Sequence, residues 1–197
     1  MGLGTNCEPA QLLRANDLRN SSFPFDWIVT IDTDGMVALL DDDFQYFLDR
    51  RFLFQLSPYK HSFTVNSYYQ LEFRHDGVIL ESEASWQSVY AKYERRINRF
   101  RQIRDFPGKV FFIRMAHDYK DGGTWWQNEM VGITALEARK LKEALDRYFP
   151  ALDFTLVILN SEEEVWPSME GIVEFKIDRT HVPSDFAAIL IALRISV

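Results

Sequence analysis

From residue 69 the chain alternates: Tyr69, Leu71 and Phe73 are apolar or aromatic, while Gln70, Glu72 and Arg74 between them are polar. A period of two is what a half-buried strand requires, so residues 63–73 read as a strand. Continuing the parity places His75 on the inward side with Phe73, just ahead of the turn signal Asp76-Gly77, and makes residues 78–80 the second strand of a hairpin. Elsewhere the period is helical. Met36, Leu39, Leu40, Phe44, Phe47 and Leu48 share one face of a helix opened by Asp34-Gly35. Tyr90, Tyr93, Ile97, Phe100 and Ile103 mark about four turns of another, ending before Pro107-Gly108. Leu141, Ala144, Leu145, Tyr148 and Phe149 define a helix over 134–149 that Pro150 stops.

Two segments show neither period. Residues 109–115 and 154–160 are short, continuously apolar runs on either side of the 134–149 helix, as expected of strands buried on both faces of a parallel sheet. A strand at 171–177 and a last helix from about Ser184, with Phe186, Ile189, Leu190 and Leu193 inward, follow. A Gly- and Trp-rich loop at 121–128 precedes the 134–149 helix. At the other end, Ala10, Leu12 and Leu13 give a short first helix that should stop near Asn16-Asp17, and residues 19–27 form a polar turn leading into Phe23, Phe25 and Trp27. Asp26 inside that aromatic group needs Arg14, Arg19 or backbone amides beside it, because a buried carboxylate is tolerated only when paired. The order of elements predicts one α/β domain over 1–197: three layers around a mainly parallel sheet, with an inserted or edge hairpin.

Composition narrows the function. At 47% hydrophobic and 15% aromatic, 197 residues bury one sizeable core. With 22 basic against 29 acidic residues and a net charge of -7, the chain is not a general binder of nucleic acid or anionic membranes. Its apolar runs are too short to span a bilayer, and no signal peptide is visible. A single cysteine forms no internal disulfide and suits a reducing cytoplasm. No phosphate loop, dinucleotide fingerprint or zinc-ligand spacing is present, so no cofactor or metal is expected, and the partner is a peptide or small-molecule substrate.

The lone cysteine is the sharpest chemical feature. Asn6 before Cys7 and Pro9 after it describe a turn opening into a helix, with Asn6 as the cap. A thiol there feels the positive end of the helix and unpaired amides, both of which favour thiolate. Catalysis by cysteine needs a base and a group that orients it. Of His61, His75, His117 and His181, His75 at a strand end is the best base, with Asp76 adjacent; Asp178 and His181, three apart before the last helix, are the alternative pair. Lys92, Arg95, Arg96 and Arg99 along one helix, and Arg114 near the end of a parallel strand, are candidates for holding an anionic group, as is Asn6 for holding substrate.

Several segments together carry a family likeness. Leu3-Gly4-Thr5-Asn6-Cys7, Leu12-Leu13-Arg14, Leu18-Arg19, Pro24-Phe25-Asp26-Trp27, Phe73 with His75-Asp76, Tyr93 with Arg95-Arg96-Ile97 and Arg99-Phe100, and Phe112-Ile113-Arg114 resemble a bacterial family of papain-like cysteine peptidases of unknown function. The resemblance implies Cys7 as nucleophile and His75 as its partner; no motif places a third member, which leaves Asp76, Asp26 and Asp178 open. Papain-like sheets around the histidine are antiparallel, whereas 109–160 reads as parallel, so chemistry and fold are separate questions. Asp178-Arg179-Thr180-His181 also resembles the Asp-x-x-His block of SGNH/GDSL-type hydrolases, with cysteine in place of serine. Two functions follow as expectations: a cysteine-dependent acyl-transfer enzyme, or a non-catalytic module that binds an anionic ligand through Lys92, Arg95, Arg96, Arg99 and Arg114.

Overall fold

The computed structural model describes residues 1–30, 32–57, 62–116, 132–161, 165–178 and 181–195. Along the chain run α1 (Glu8–Ala15), β1 (Val29–Thr30), α2 (Thr33–Asp41), β2 (Leu53–Leu56), β3 (Phe63–Asn66), β4 (Leu71–Phe73), α3 (Glu83–Gln102), β5 (Val110–Met115), α4 (Ala135–Tyr148), β6 (Phe154–Asn160), β7 (Ile172–Lys176) and α5 (Val182–Ala192). The protein is a mixed α/β structure with two sheets. One is antiparallel, in the order β1-β4-β3-β2, and the other parallel, in the order β5-β6-β7. The expected parallel pair is present, in register from Val110 opposite Phe154 to Met115 opposite Leu159, with α4 as the crossover.

Burial on both faces explains why β5 and β6 show no alternation. Phe112, Leu156 and Ile158 join one core with Leu141, Leu145 and Phe149. Ile113, Met115, Val157 and Leu159 join another with Leu12 and Leu13 of α1 and Phe186, Ile189 and Leu190 of α5. Each such side chain contributes on the order of 1.5–3 kcal/mol by leaving water. The crossover helix starts sharply because Thr134 and Glu137 cap it reciprocally, Thr134 Oγ1 accepting from Glu137 N at 3.2 Å and Glu137 Oε2 accepting from Thr134 N at 2.8 Å. The first residues extend the parallel sheet: Leu3 N donates to Ile113 O, Ile113 N donates to Met1 O, both at 2.8 Å, and Gly2 bridges Ile113 in parallel. The chain thereby reaches Cys7 at the C-terminal end of β5, the edge where ligands of open α/β sheets bind.

The antiparallel strands form a sheet of their own, and here the structure corrects the alternation argument. Residues 63–73 are two strands rather than one, β3 and β4, paired to each other across a turn at 67–70. Asn66 builds that turn, its Oδ1 accepting from the amides of Tyr68 and Tyr69 at 2.9 Å. Residues 78–80 are not a strand. Thr64 Oγ1 donates to Gly77 O and accepts from Ile79 N, which draws this stretch across β3 into the short 3-10 turn Ile79–Glu81. The helix expected through residue 48 ends at Asp41. Asp43 N donates to Leu40 O and Phe44 N to Leu39 O, with φ 49° at Asp43 and 64° at Phe44, so a Schellman motif stops α2 and Phe44 and Phe47 reach the core from turns. The third helix is longer than the four turns expected: capped by Ser82, whose side chain accepts from Ser85 N, it runs for 20 residues. The loop at 121–128 lies outside the described residues. Among the described residues no helix is long and apolar enough to cross a membrane.

Candidate functional site

Cys7 is presented by a turn with unusual backbone. Gly4 has φ 76° and Thr5 φ 84°, a region that a β-branched residue rarely adopts and that costs of order 1–3 kcal/mol unless the surroundings impose it. The surroundings do: Thr5 N donates to Thr30 Oγ1 at 3.0 Å, Thr5 Oγ1 donates to Met115 O at 2.6 Å, and Thr30 N donates to Thr5 O at 3.3 Å. The cap is Cys7 itself rather than the expected Asn6, since Cys7 O accepts the first helical bond from Gln11 N; Asn6 Oδ1 accepts from Glu8 N at 2.8 Å in a side-chain turn just ahead, with Pro9 in the first turn where no N–H is needed. Cys7, at φ -80° and ψ -7°, is already helical and is the residue from which α1 proceeds.

The Cys7 side chain is half-buried, and its sulfur accepts from Gln11 Nε2 at 3.4 Å. Gln11 lies four residues on, one helical turn away, a spacing that sequence reasoning passed over. The expected bias toward thiolate is reversed. Burial pushes the thiol above its ordinary value; its own backbone N–H acts in the opposite sense, and the Glu8 carboxylate adds to the rise. The resting sulfur is a neutral thiol at neutral pH.

Arg114 faces the core. At 1% exposure it is a core residue whose Nη1 donates to Leu3 O at 3.1 Å and also to Thr30 Oγ1, while Nε has no partner. Burial lowers its pKa to about 10, against the opposing pull of Glu137 and Asp32, so it stays charged at neutral pH. It holds Thr30, and through Thr30 the turn ahead of Cys7.

The Pro24–Trp27 segment is a 3-10 turn, and its aspartate is paired as expected. Asp26 Oδ2 accepts from Arg19 Nε at 3.1 Å, Arg19 Nη2 at 2.9 Å and Phe23 N at 2.8 Å. A Cβ placed on Gly2 would lie 3.3 Å from Pro9 Cβ and 3.7 Å from Asp26 Oδ1, so the first turn of α1 and the carboxylate close around that glycine. The neighbouring Trp27 ring takes the Arg19 guanidinium at 5.3 Å and the His75 ring, edge to face, also at 5.3 Å.

His75 is exposed rather than inward-facing. The alternation stops with β4 at Phe73, and Asp76 N donates back to Phe73 O, turning the chain so that the ring lies on Trp27. Desolvation lowers its pKa below the ordinary 6.5, followed by the positive charges of Arg74 and Lys92, so the ring is a free base at neutral pH. No hydrogen bond joins it to Cys7. The Asp76 carboxylate is held from α3, pairing with Lys92 and accepting from Tyr93 O–H at 2.7 Å, which fixes the turn that carries His75.

The remaining candidates separate. His181 Nδ1 lies 3.4 Å from Asp178 Oδ2, both exposed, ahead of α5. His61 and His117 lie outside the described residues. On α3, Lys92 is committed to Asp76, Arg95 is exposed, Arg96 lies over the Tyr93 ring at 5.0 Å, and Arg99 Nη1 donates to Ser22 O. A surface depression of about 490 Å³, lined by Arg50, Trp86, Tyr90 and Ile97 among others, includes neither Cys7 nor His75. A family model described as "Putative papain-like cysteine peptidase (DUF1796)" matches residues 1–164. No curated protein and no solved structure matches the chain.

Proposed function

The chain belongs to the family described as "Putative papain-like cysteine peptidase (DUF1796)", and from that premise we propose that it is a cysteine-dependent acyl-transfer enzyme acting on an amide or thioester of a peptide or small molecule. The observation that carries the reading is the clamped Gly4-Thr5 turn, which holds the only cysteine half-exposed at the mouth of α1, at the C-terminal edge of the parallel sheet. Strain of this kind persists where a side chain must be aimed. A lone thiol used in this way suits a reducing compartment such as the cytoplasm.

In the proposed reaction the Cys7 sulfur attacks the substrate carbonyl while its proton passes to a ring nitrogen of His75. A thiol and an imidazole that are both neutral at rest call for general-base assistance during attack rather than a resting ion pair. The tetrahedral oxyanion needs donors. Glu8 N is taken by Asn6 and Pro9 has none, so the Cys7 N–H and the Gln11 side-chain amide fill the role. His75 then returns the proton to the leaving amine or thiol. Water, deprotonated by the same ring, releases the acid and restores the thiol. Asp76 acts on His75 by fixing its turn through Lys92 and Tyr93.

A second reading is favoured by the Asp178–His181 contact. Here α1 and α5 cover one face of a three-layer α/β unit, as their shared core suggests, and His181 replaces His75 as base, as in SGNH/GDSL-type hydrolases. One experiment separates the two. Incubation with p-nitrophenyl acetate followed by intact-mass analysis should add one acyl group to the protein and none to Cys7→Ala. His75→Ala should slow acylation at least tenfold while His181→Ala leaves it unchanged; the reverse ordering selects the second reading. Equal acylation of the wild type and Cys7→Ala overturns both.

A further inference from the structure

We propose that Arg96 and Arg99 of α3, together with Arg19, form a binding site for a phosphate group, separate from the chemistry of Cys7. The charges around them leave a surplus. Asp26 is matched by Arg19, and Asp76 by Lys92. Arg96 and Arg99 take part in no ion pair among the described residues. They lie three apart on one face of α3, a single turn of helix.

Their donors are incompletely used. Arg99 Nη1 donates to the neutral carbonyl of Ser22, the residue whose hydroxyl accepts from Arg19 Nη2 at 2.7 Å, so the two guanidiniums grip the same residue from different sides. Arg96 lies over the Tyr93 ring, and its Nη1 is shut away from solvent with no hydrogen-bond partner. A guanidinium donor left unmade at a partly buried site is costly, and an oxyanion is the group that satisfies it best. Burial lowers the Arg96 pKa; the electrostatic influence of Tyr93 and Asp26 raises it, and that of Arg19 and Arg99 lowers it again, so each of these groups acts on Arg96. Two unmatched guanidiniums suit a dianionic phosphate better than a single carboxylate, and on a chain of net charge -7 such a focus of positive charge is local rather than general.

The test is calorimetric titration of the full chain with inorganic phosphate at fixed ionic strength, with acetate and chloride run in parallel. Saturable phosphate binding is expected, with acetate and chloride giving none. Arg96→Gln and Arg99→Gln should each weaken it by at least about tenfold, the loss expected for a charge-assisted bond. Arg104→Gln, on an exposed residue beyond the end of α3, should leave it intact, and so should Cys7→Ala, which separates this site from the acyl-transfer reading. Far-UV circular dichroism establishes that each variant is folded. Should Arg96→Gln fail to fold, Arg99→Gln decides alone, since it removes only a contact to a carbonyl. Phosphate binding no stronger than acetate binding, or unchanged in a folded Arg99→Gln protein, overturns the proposal.

Discussion

Replacing Asp26 with alanine removes the anion on which Arg19 and the amide of Phe23 converge. The carboxylate is 2% exposed, and its Oδ2 alone accepts three hydrogen bonds, two from the guanidinium and one from the backbone. The Arg19 side chain is only 12% exposed, so neither orphaned group is freely rehydrated. Breaking a buried pair from one side costs about 3–5 kcal/mol, mostly because the other charge is left uncompensated. Against a typical total of roughly 5–15 kcal/mol that is a large share. With a urea slope of about 2 kcal/mol/M, the midpoint should fall by roughly 2 M. Asp26→Asn keeps an acceptor for Phe23 N and loses only the charge, so it should cost about half as much. Arg19→Met in the Asp26→Ala background should add much less than it does alone, giving a coupling energy above about 1 kcal/mol. An Asp26→Ala cost below about 1 kcal/mol, or additivity with Arg19→Met, would refute the argument.

Other substitutions probe the backbone and the Cys7 turn. Asp17 sits at φ 54° after α1, with Leu18 N bonded to Leu13 O in a Schellman motif, so Asp17→Gly should stabilise the fold by about 1 kcal/mol, seen as a higher melting temperature. Gly35→Ala should do the opposite despite alanine's better helix propensity: its Cβ would overlap the Tyr69 carbonyl oxygen, and a loss above about 2 kcal/mol in chemical denaturation is expected. Cys7→Ala should change stability by less than about 1 kcal/mol, because the half-buried thiol is bonded only to Gln11.

What the residues revealed and what they hid follow from the range of the forces. The parallel pairing of β5 and β6 was legible because a strand covered on both faces writes its burial into every position, and the Asp26–Arg19 pair because a carboxylate among Phe23, Phe25 and Trp27 demands a neighbouring cation. Both signals are local. The end of α2 was not legible, since Asp43 and Phe44 take left-handed conformations without glycine, and Phe44 and Phe47 keep helical spacing although they pack from turns. Parity misplaced His75 because it presumes that the strand continues, and a single backbone bond from Asp76 to Phe73 ends it. Arg114 looked like a ligand residue at a strand end, and only the distant Leu3 carbonyl and Thr30 hydroxyl reveal it as a core clamp. The opposition between burial and the helix terminus at Cys7 is likewise a matter of tertiary packing.

The central claim is that His75 supplies the base for a Cys7 thiol that is neutral at rest, and the rate of Cys7 acylation against pH tests it most directly. The thiol is raised above its ordinary 9.0 and the imidazole lowered below its ordinary 6.5. The wild-type rate with p-nitrophenyl acetate should therefore climb through a midpoint below pH 6.5, as the ring loses its proton, hold level across neutrality, and climb again above pH 9 as free thiolate forms. His75→Ala should lose the first step entirely and keep only the second. Identical profiles for wild type and His75→Ala, or a single rise above pH 9 in the wild type, would contradict the account.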